Sequence, residues 1–116
     1  MASAVMIERR DEAIIGRIVD RDVIDAGRIE RIKSELHSIC ETTETPHIVL
    51  SFRNVEHMSS AAISMLVTLH RDIASRGGKL ALSGISKDLM QMFKITRLDK
   101  LLKIYDTSGT AIAEMK

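Results

Sequence analysis

Aromatic residues are scarce in this sequence, which has no Trp, two Phe and one Tyr among its 116 residues. Proteins that bind single-stranded nucleic acid by stacking need several exposed rings, so this scarcity argues against that class. The charges nearly cancel, with 17 Lys and Arg against 16 Asp and Glu, and leave no strong field to attract a polyanion. We therefore expect no nucleic-acid partner, and a core filled by aliphatic side chains and the seven methionines.

Cysteine and long apolar runs are also nearly absent. Cys40 is the only cysteine, which excludes an internal disulfide and a four-cysteine zinc site, and we expect it to be a small buried hydrophobe. The scattered histidines His37, His47, His57 and His70 form no ligand pair of the H-x-x-x-H kind, so we expect no metal and no other cofactor. The N-terminal segment lacks the features of a signal peptide, and no run could span a bilayer. These features predict a cytoplasmic chain without a membrane span, folded as a single domain over residues 1–116.

The first half of the chain predicts two strands, a helix and a third strand. Apolar runs at Ala4–Ile7 and Ala13–Val19 flank the polar segment Glu8–Glu12, which predicts an antiparallel hairpin with a tight turn. From Asp25, a plausible N-cap, apolar residues recur every three or four positions and predict a helix that ends near Cys40. The apolar run at His47–Phe52 predicts a buried strand.

The middle of the chain predicts a helical crossover between parallel strands. A helix should begin at Ser59 or Ser60 and stop at Gly77 and Gly78, followed by a strand at Lys79–Ser83. Two strands joined by a helix of this length pair in parallel, so we expect an α/β fold with a mixed four- or five-stranded sheet covered by helices. The spacing sets these residues on one face of the helix, with Leu66 and Val67 expected on its buried side: Ile63, Leu66, Val67, His70, Ile73 and Ala74.

The C-terminal part predicts two shorter helices around a short strand. Ser86 is a candidate cap for a helix through Ile95, an apolar bend follows, and Ile104–Tyr105 predicts a strand. Ser108 is a candidate cap for a final helix of about two turns.

Residues 47–86 read HIVLSFRNVEHMSSAAISMLVTLHRDIASRGGKLALSGIS, and this stretch resembles a known family. It is similar to the STAS domain shared by sulphate transporters and anti-sigma factor antagonists, especially the small single-domain bacterial antagonists. The likeness runs from the buried strand through the serine pair and its helix to the double glycine and the next strand. The resemblance implies a STAS-like fold and a role in transcription regulation under stress.

In those antagonists an Asp-Ser-Ser-Gly pattern precedes the helix, and the first serine is phosphorylated by a partner kinase. A gapless alignment sets Ser59 at the aspartate, Ser60 at the phosphorylated serine, Ala61 at the second serine and Ala62 at the glycine. The resemblance therefore implies that Ser60 is the phosphorylation site, with Ser59 as second choice. The chain departs from the pattern in lacking both the aspartate and the glycine.

The resemblance also implies the partners. The unphosphorylated chain would bind an anti-sigma factor serine kinase, phosphorylation would end that binding, and a serine phosphatase would restore it. On this interpretation the chain is not an enzyme, and a hydrolase using Ser60 and His57 is disfavoured because no G-x-S-x-G elbow surrounds the serines. The alternative is a permanent scaffold subunit of a stress-signalling or lipid-transport complex. The expected partner-binding residues are His57, Met58, Ser59, Ser60, Ala61 and Ile63.

Overall fold

The computed structural model describes residues 4–10 and 13–115. Strands and helices alternate along most of the chain. The strands are β1 (Val5–Arg10), β2 (Ala13–Ile18), β3 (Asp22–Val23), β4 (His47–Ser51), β5 (His57–Met58), β6 (Lys79–Ser83) and β7 (Lys103–Tyr105). The helices are α1 (Ala26–Glu41), α2 (Ser60–Ser75), α3 (Lys87–Ile95), α4 (Leu98–Leu101) and α5 (Ser108–Met115).

A mixed five-stranded sheet forms the centre of the fold, which confirms the α/β prediction. Its strand order is β1-β2-β4-β6-β7. Strand β1 pairs antiparallel with β2, and the other neighbours are parallel, as the crossover through α2 requires. Strands β3 and β5 form a separate parallel ribbon, in which Asp22 lies opposite His57 and Val23 opposite Met58.

Helices cover the two faces of the sheet unequally. Alternate residues of a strand face opposite sides, and in β4 Ile48 and Leu50 belong to the large core that α1, α2 and α3 close. Val49 belongs to a smaller cluster on the other face, with Ala111 and Ile112 of α5. Helix α5 contacts β4, β6 and β7. None of the described helices is long and apolar enough to cross a membrane.

The N-terminal hairpin is confirmed, but its first strand is longer than the apolar run that predicted it. Strand β1 continues through Glu8 to Arg10, which pairs with Ala13. The sheet has β1 at its edge, where residues 6–10 are exposed, so polar side chains are tolerated there. The predicted tight turn lies at residues 11–12, outside the described residues.

The predicted face of α2 is wrong in part. Leu66 and Ile73 are buried as expected, but Ala74 is exposed and Ile63, Val67 and His70 are half-buried. The helix packs against both β6 and α1, so its buried arc is turned toward α1. The buried residues of α2 are Ala62, Met65, Leu66, Leu69 and Ile73.

Two details near the C-terminus also differ. Ser86 caps α3 as predicted, with its hydroxyl accepting the Leu89 N–H at 3.2 Å, but Ile95 ends that helix with 82% of its surface exposed. The cap of α5 is Thr107, whose Oγ1 accepts the N–H of Thr110 at 3.1 Å. Ser108 is instead the first helical residue of α5.

Candidate functional site

The start of α2 is built around Ser59, which is the N-cap residue. Its backbone is extended, with φ of −89° and ψ of 168°, and its Oγ accepts the N–H of Ala62 at 3.2 Å. Its own N–H donates to the carbonyl of Val23 at 3.1 Å, so the loop before α2 is tied to the β3 strand. The Ser59 hydroxyl is therefore engaged in holding the helix end.

Ser60 is the first helical residue and is exposed. The first N–H groups of a helix have no intrahelical partner, and within the described residues those of Ser60 and Ala61 form no other hydrogen bond. No acidic side chain lies in the first turn of α2. The partial positive charge of the helix end is therefore not compensated by the helix itself.

The ribbon of β3 and β5 positions the residues that precede the serines. His57 Nδ1 lies 2.7 Å from Asp22 Oδ1, and Arg21 forms an ion pair with Glu56. All four of these side chains are exposed. An exposed group of paired polar and charged side chains thus lies next to the start of α2.

The expected partner-binding residues do not all reach the surface. His57, Ser60 and Ala61 are exposed, and Ile63 is half-buried. Met58 is a correction to the expected surface, because it is only 6% exposed and packs in the large core. Strand β5 alternates its side chains, so exposure of His57 requires that Met58 face inward.

Sequence reasoning missed Ile24, which adds an apolar side chain to this surface. Ile24 is 55% exposed and follows Val23, whose carbonyl accepts the Ser59 N–H. Its neighbours Val23 and Met58 are buried and lie opposite each other in the ribbon. Only the pairing of β3 with β5 brings Ile24 near the serines, so no local pattern in the sequence marked it.

The missing glycine of the Asp-Ser-Ser-Gly pattern has a structural explanation. Ala62 occupies that position and is fully buried in the large core. Its methyl group therefore packs inside the fold and does not obstruct the surface that a partner would approach. The missing aspartate is replaced by the Ser59 cap, which accepts the same kind of hydrogen bond without a charge.

Other chemistry receives little support from the arrangement. The described residues contain no group of three His, Cys, Asp or Glu side chains that could hold a metal ion. The hydrogen-bond partner of His57 is Asp22, and no described hydrogen bond joins His57 to Ser60. Cys40 is buried as predicted, and that burial raises the pKa of its thiol. A raised pKa disfavours the reactive thiolate.

Residues 4–111 match the STAS domain, and the chain belongs to this family, which confirms the resemblance seen in the sequence. An anti-sigma F factor antagonist of Paenibacillus polymyxa is 22% identical over 93 residues, which are 80% of each chain. An anti-sigma-factor antagonist (STAS) domain protein of Planctomyces limnophilus superposes with a TM-score of 0.86 at 18% identity, covering 96% of this chain and 97% of that one. The Bacillus cell fate determinant SpoIIAA in its phosphorylated form superposes with a TM-score of 0.73 at 17% identity, covering 97% and 100%. At these identities the two structures establish a shared fold.

Proposed function

We propose that this chain is an anti-sigma factor antagonist controlled by phosphorylation. The unphosphorylated chain binds an anti-sigma factor that has serine kinase activity, and phosphorylation of Ser60 ends that binding. The observation that carries the proposal is the exposed Ser60 in the first turn of α2, at the position that the family pattern gives to the phosphorylated serine. The relative named as an antagonist in Paenibacillus polymyxa supports the antagonist role, and the phosphorylated form of SpoIIAA supports control by phosphorylation.

The local geometry favours Ser60 over Ser59 as the modified residue. A kinase must reach the hydroxyl as a nucleophile, and the Ser59 hydroxyl is half-buried and accepts the Ala62 N–H. The exposed Ser60 is not the residue that caps the helix. Phosphorylation of Ser60 therefore leaves the cap in place.

The fold should tolerate a phosphate on Ser60. A phosphoserine carries about −1.5 to −2 charges at neutral pH and three acceptor oxygens. The helix end offers the free N–H groups of Ser60 and Ala61, and no acidic residue of the first turn repels the added charge. Negative charge at a helix N-terminus is favourable.

The same phosphate should weaken partner binding. The surface around Ser60 includes Ala61, the exposed Ile24 and the half-buried Ile63, which together offer small apolar contacts. A charge placed among such contacts must be desolvated when a partner binds. Leaving a buried charge unpaired at an interface costs about 2 to 5 kcal/mol. Loss of binding therefore requires no unfolding.

In this mechanism the chain is a substrate and not a catalyst. The kinase partner supplies the ATP, transfers its terminal phosphoryl group to the Ser60 oxygen and releases ADP. A serine phosphatase hydrolyses the phosphoserine and returns the chain to its binding form.

Affinity capture from an extract of the source cell tests the proposal. Four baits are compared: the natural chain, Ser60→Asp, Ser60→Ala, and the control Ser34→Asp, which places the same charge on an exposed position of α1. We expect Ser60→Asp to lose the partner by tens to thousands of fold, while Ser34→Asp retains it. Equal recovery of one stoichiometric partner by all four baits would contradict the switch and favour a permanent scaffold subunit.

The scaffold alternative rests on the two departures from the family pattern, Ser59 in place of the aspartate and Ala62 in place of the glycine. A native mass measurement of the chain purified from its own cell distinguishes the two. A fixed multi-subunit assembly supports the scaffold, and a free chain alongside a partial heterocomplex supports the switch.

A further inference from the structure

A polar cavity lies on the sheet face covered by α5, which is the face opposite α2. Its volume is about 350 Å³. The ends of the parallel strands β4 and β6 line it, together with the start of α5 and arginines from β1, β2 and the loop after β4. Ligands of open α/β sheets commonly bind outside the carboxyl ends of the strands.

The floor of the cavity holds two buried hydroxyl groups. Ser51 and Ser83 are paired across β4 and β6, are 6% and 1% exposed, and are the only polar residues that are buried in the described part of the chain. Ser83 Oγ lies 2.9 Å from Ser108 Oγ, at the start of α5. The Ser51 hydroxyl has no hydrogen-bond partner among the described residues. Because Ser51 lines the cavity, its hydroxyl is available to a bound ligand as a donor or an acceptor.

Arginines outnumber acidic residues in the cavity lining, which holds three arginines and the carboxylates of Glu8 and Asp106. Arg17 lies directly opposite Ser51 in the register of β2 and β4, and Arg53 follows β4. Both line the cavity, and neither forms an ion pair with another described residue. Arg10 also lines it but is neutralised by Glu8, with Nη2 and Oε2 2.6 Å apart.

The start of α5 adds backbone donors to the cavity. Thr107 caps the helix by accepting the N–H of Thr110 at 3.1 Å. The N–H groups of Ser108 and Gly109 form no hydrogen bond within the described residues, and both residues line the cavity. Such N–H groups and the helix dipole favour an anion.

We propose that this cavity binds an oxyanion of the phosphate class, either free phosphate or the phosphate of a small ester. Two unpaired guanidinium groups, a buried hydroxyl and two backbone N–H groups match the several acceptor oxygens of a phosphate. The volume exceeds that of a single phosphate, so the site also admits an ester substituent. The site is separate from Ser60 and does not depend on the proposed function.

Nuclear magnetic resonance of the full chain tests the proposal. Inorganic phosphate and glycerol 3-phosphate are each titrated, with sodium chloride at matched ionic strength as the control. We expect saturable amide shifts at Ser51, Ser108 and Gly109 with one or both phosphates and not with chloride. The amides of Ser60 and Ala61, at the start of α2, are expected to stay unchanged at the same concentrations. Saturation by both probes identifies the phosphate group as sufficient, and saturation by the ester alone identifies an ester ligand.

Arginine variants test the assigned contacts. Arg17→Gln and Arg53→Gln should each weaken binding at least tenfold, which corresponds to about 1.4 kcal/mol. Arg71→Gln removes an equal charge from an exposed position of α2 and should change the dissociation constant less than twofold. Amide spectra without ligand verify that each variant is folded. Absence of saturable shifts with both phosphates, or equal affinity in all three variants, would overturn the proposal.

Discussion

The two serines at the start of α2 should respond differently to the same substitution. Ser59→Ala removes the hydroxyl that accepts the Ala62 N–H at 3.2 Å. Ser60→Ala removes an exposed hydroxyl that is not the cap of the helix. The pair therefore separates the structural role of one serine from the proposed regulatory role of the other.

The expected magnitudes follow from these contacts. Loss of a serine N-cap costs about 0.5 to 2 kcal/mol of folding free energy, and about 1 kcal/mol is typical. A surface substitution away from such contacts stays within about 0.5 kcal/mol, and alanine favours a helix more than serine does. In a chain of roughly 100 residues, about 1 kcal/mol corresponds to roughly 4 °C or more in the melting temperature.

Urea denaturation followed by circular dichroism measures both variants against the natural chain. We expect Ser59→Ala to lower the urea midpoint with an unchanged slope, and Ser60→Ala to leave the midpoint unchanged or slightly raised. If Ser60→Ala were the more destabilising of the two, Ser60 would be the structural cap. The assignment of the exposed serine as the switch would then fail.

Two further predictions concern the core and the tie between α1 and β1. Leu66→Ala should lower the free energy of unfolding by about 2 to 5 kcal/mol because Leu66 is fully buried, whereas Thr68→Ala, at an exposed position, should lower it by about 0.5 kcal/mol. Equal losses in the two variants would mean that the buried face of α2 is wrongly assigned. Burial disfavours the Glu35 carboxylate, but hydrogen bonds from the Ala4 and Val5 N–H groups and from Arg31 outweigh it and lower its pKa. The stabilisation that follows from this lowered pKa is complete when the pH is above the ordinary glutamate pKa of about 4.3. It is lost as the pH falls through the pKa that Glu35 has in the folded chain. Glu35→Gln should therefore destabilise the fold at pH 7 and progressively less below about pH 4, and a difference independent of pH would refute this origin.

Local signals predicted the strands of the main sheet and the longer helices, but not β3, β5 or α4. The caps Asp25, Ser59 and Ser86 each accept the N–H expected of an N-cap. Gly77, with φ of 75°, ends α2 as the double glycine predicted. These features depend on a few neighbouring residues, so they can be predicted from the sequence alone.

Features set by packing were harder to predict. The buried arc of α2 includes Leu69 because α1 packs beside it, where His37 Nδ1 lies 3.1 Å from Asp72 Oδ2. The period of the sequence shows that a helix is amphipathic but not which neighbour it meets. The same limit explains the incorrect exposure expected for Met58, since β5 is a two-residue strand whose ribbon with β3 has no periodic signal.

The candidate sites show the same division. Ser60 was found from a short contiguous pattern, and the structure adds that its neighbour Ser59 is the cap. Ile24 lies 36 positions before Ser60 in the sequence, and the cavity near α5 joins Arg17, Ser51 and Ser108 from three distant segments. Only the pairing of strands brings such residues together, so no local pattern marks them.

Direct mapping of the phosphate tests the central claim. The natural chain is incubated with its captured kinase partner and ATP, then cleaved and analysed by fragment mass spectrometry, and the affinity of the modified chain for that partner is measured by titration. We predict one phosphate, located on Ser60, and a loss of affinity of at least tens of fold in a chain that keeps its melting temperature. A phosphate on any other residue, or a chain phosphorylated on Ser60 that binds its partner as tightly as before, would contradict the account.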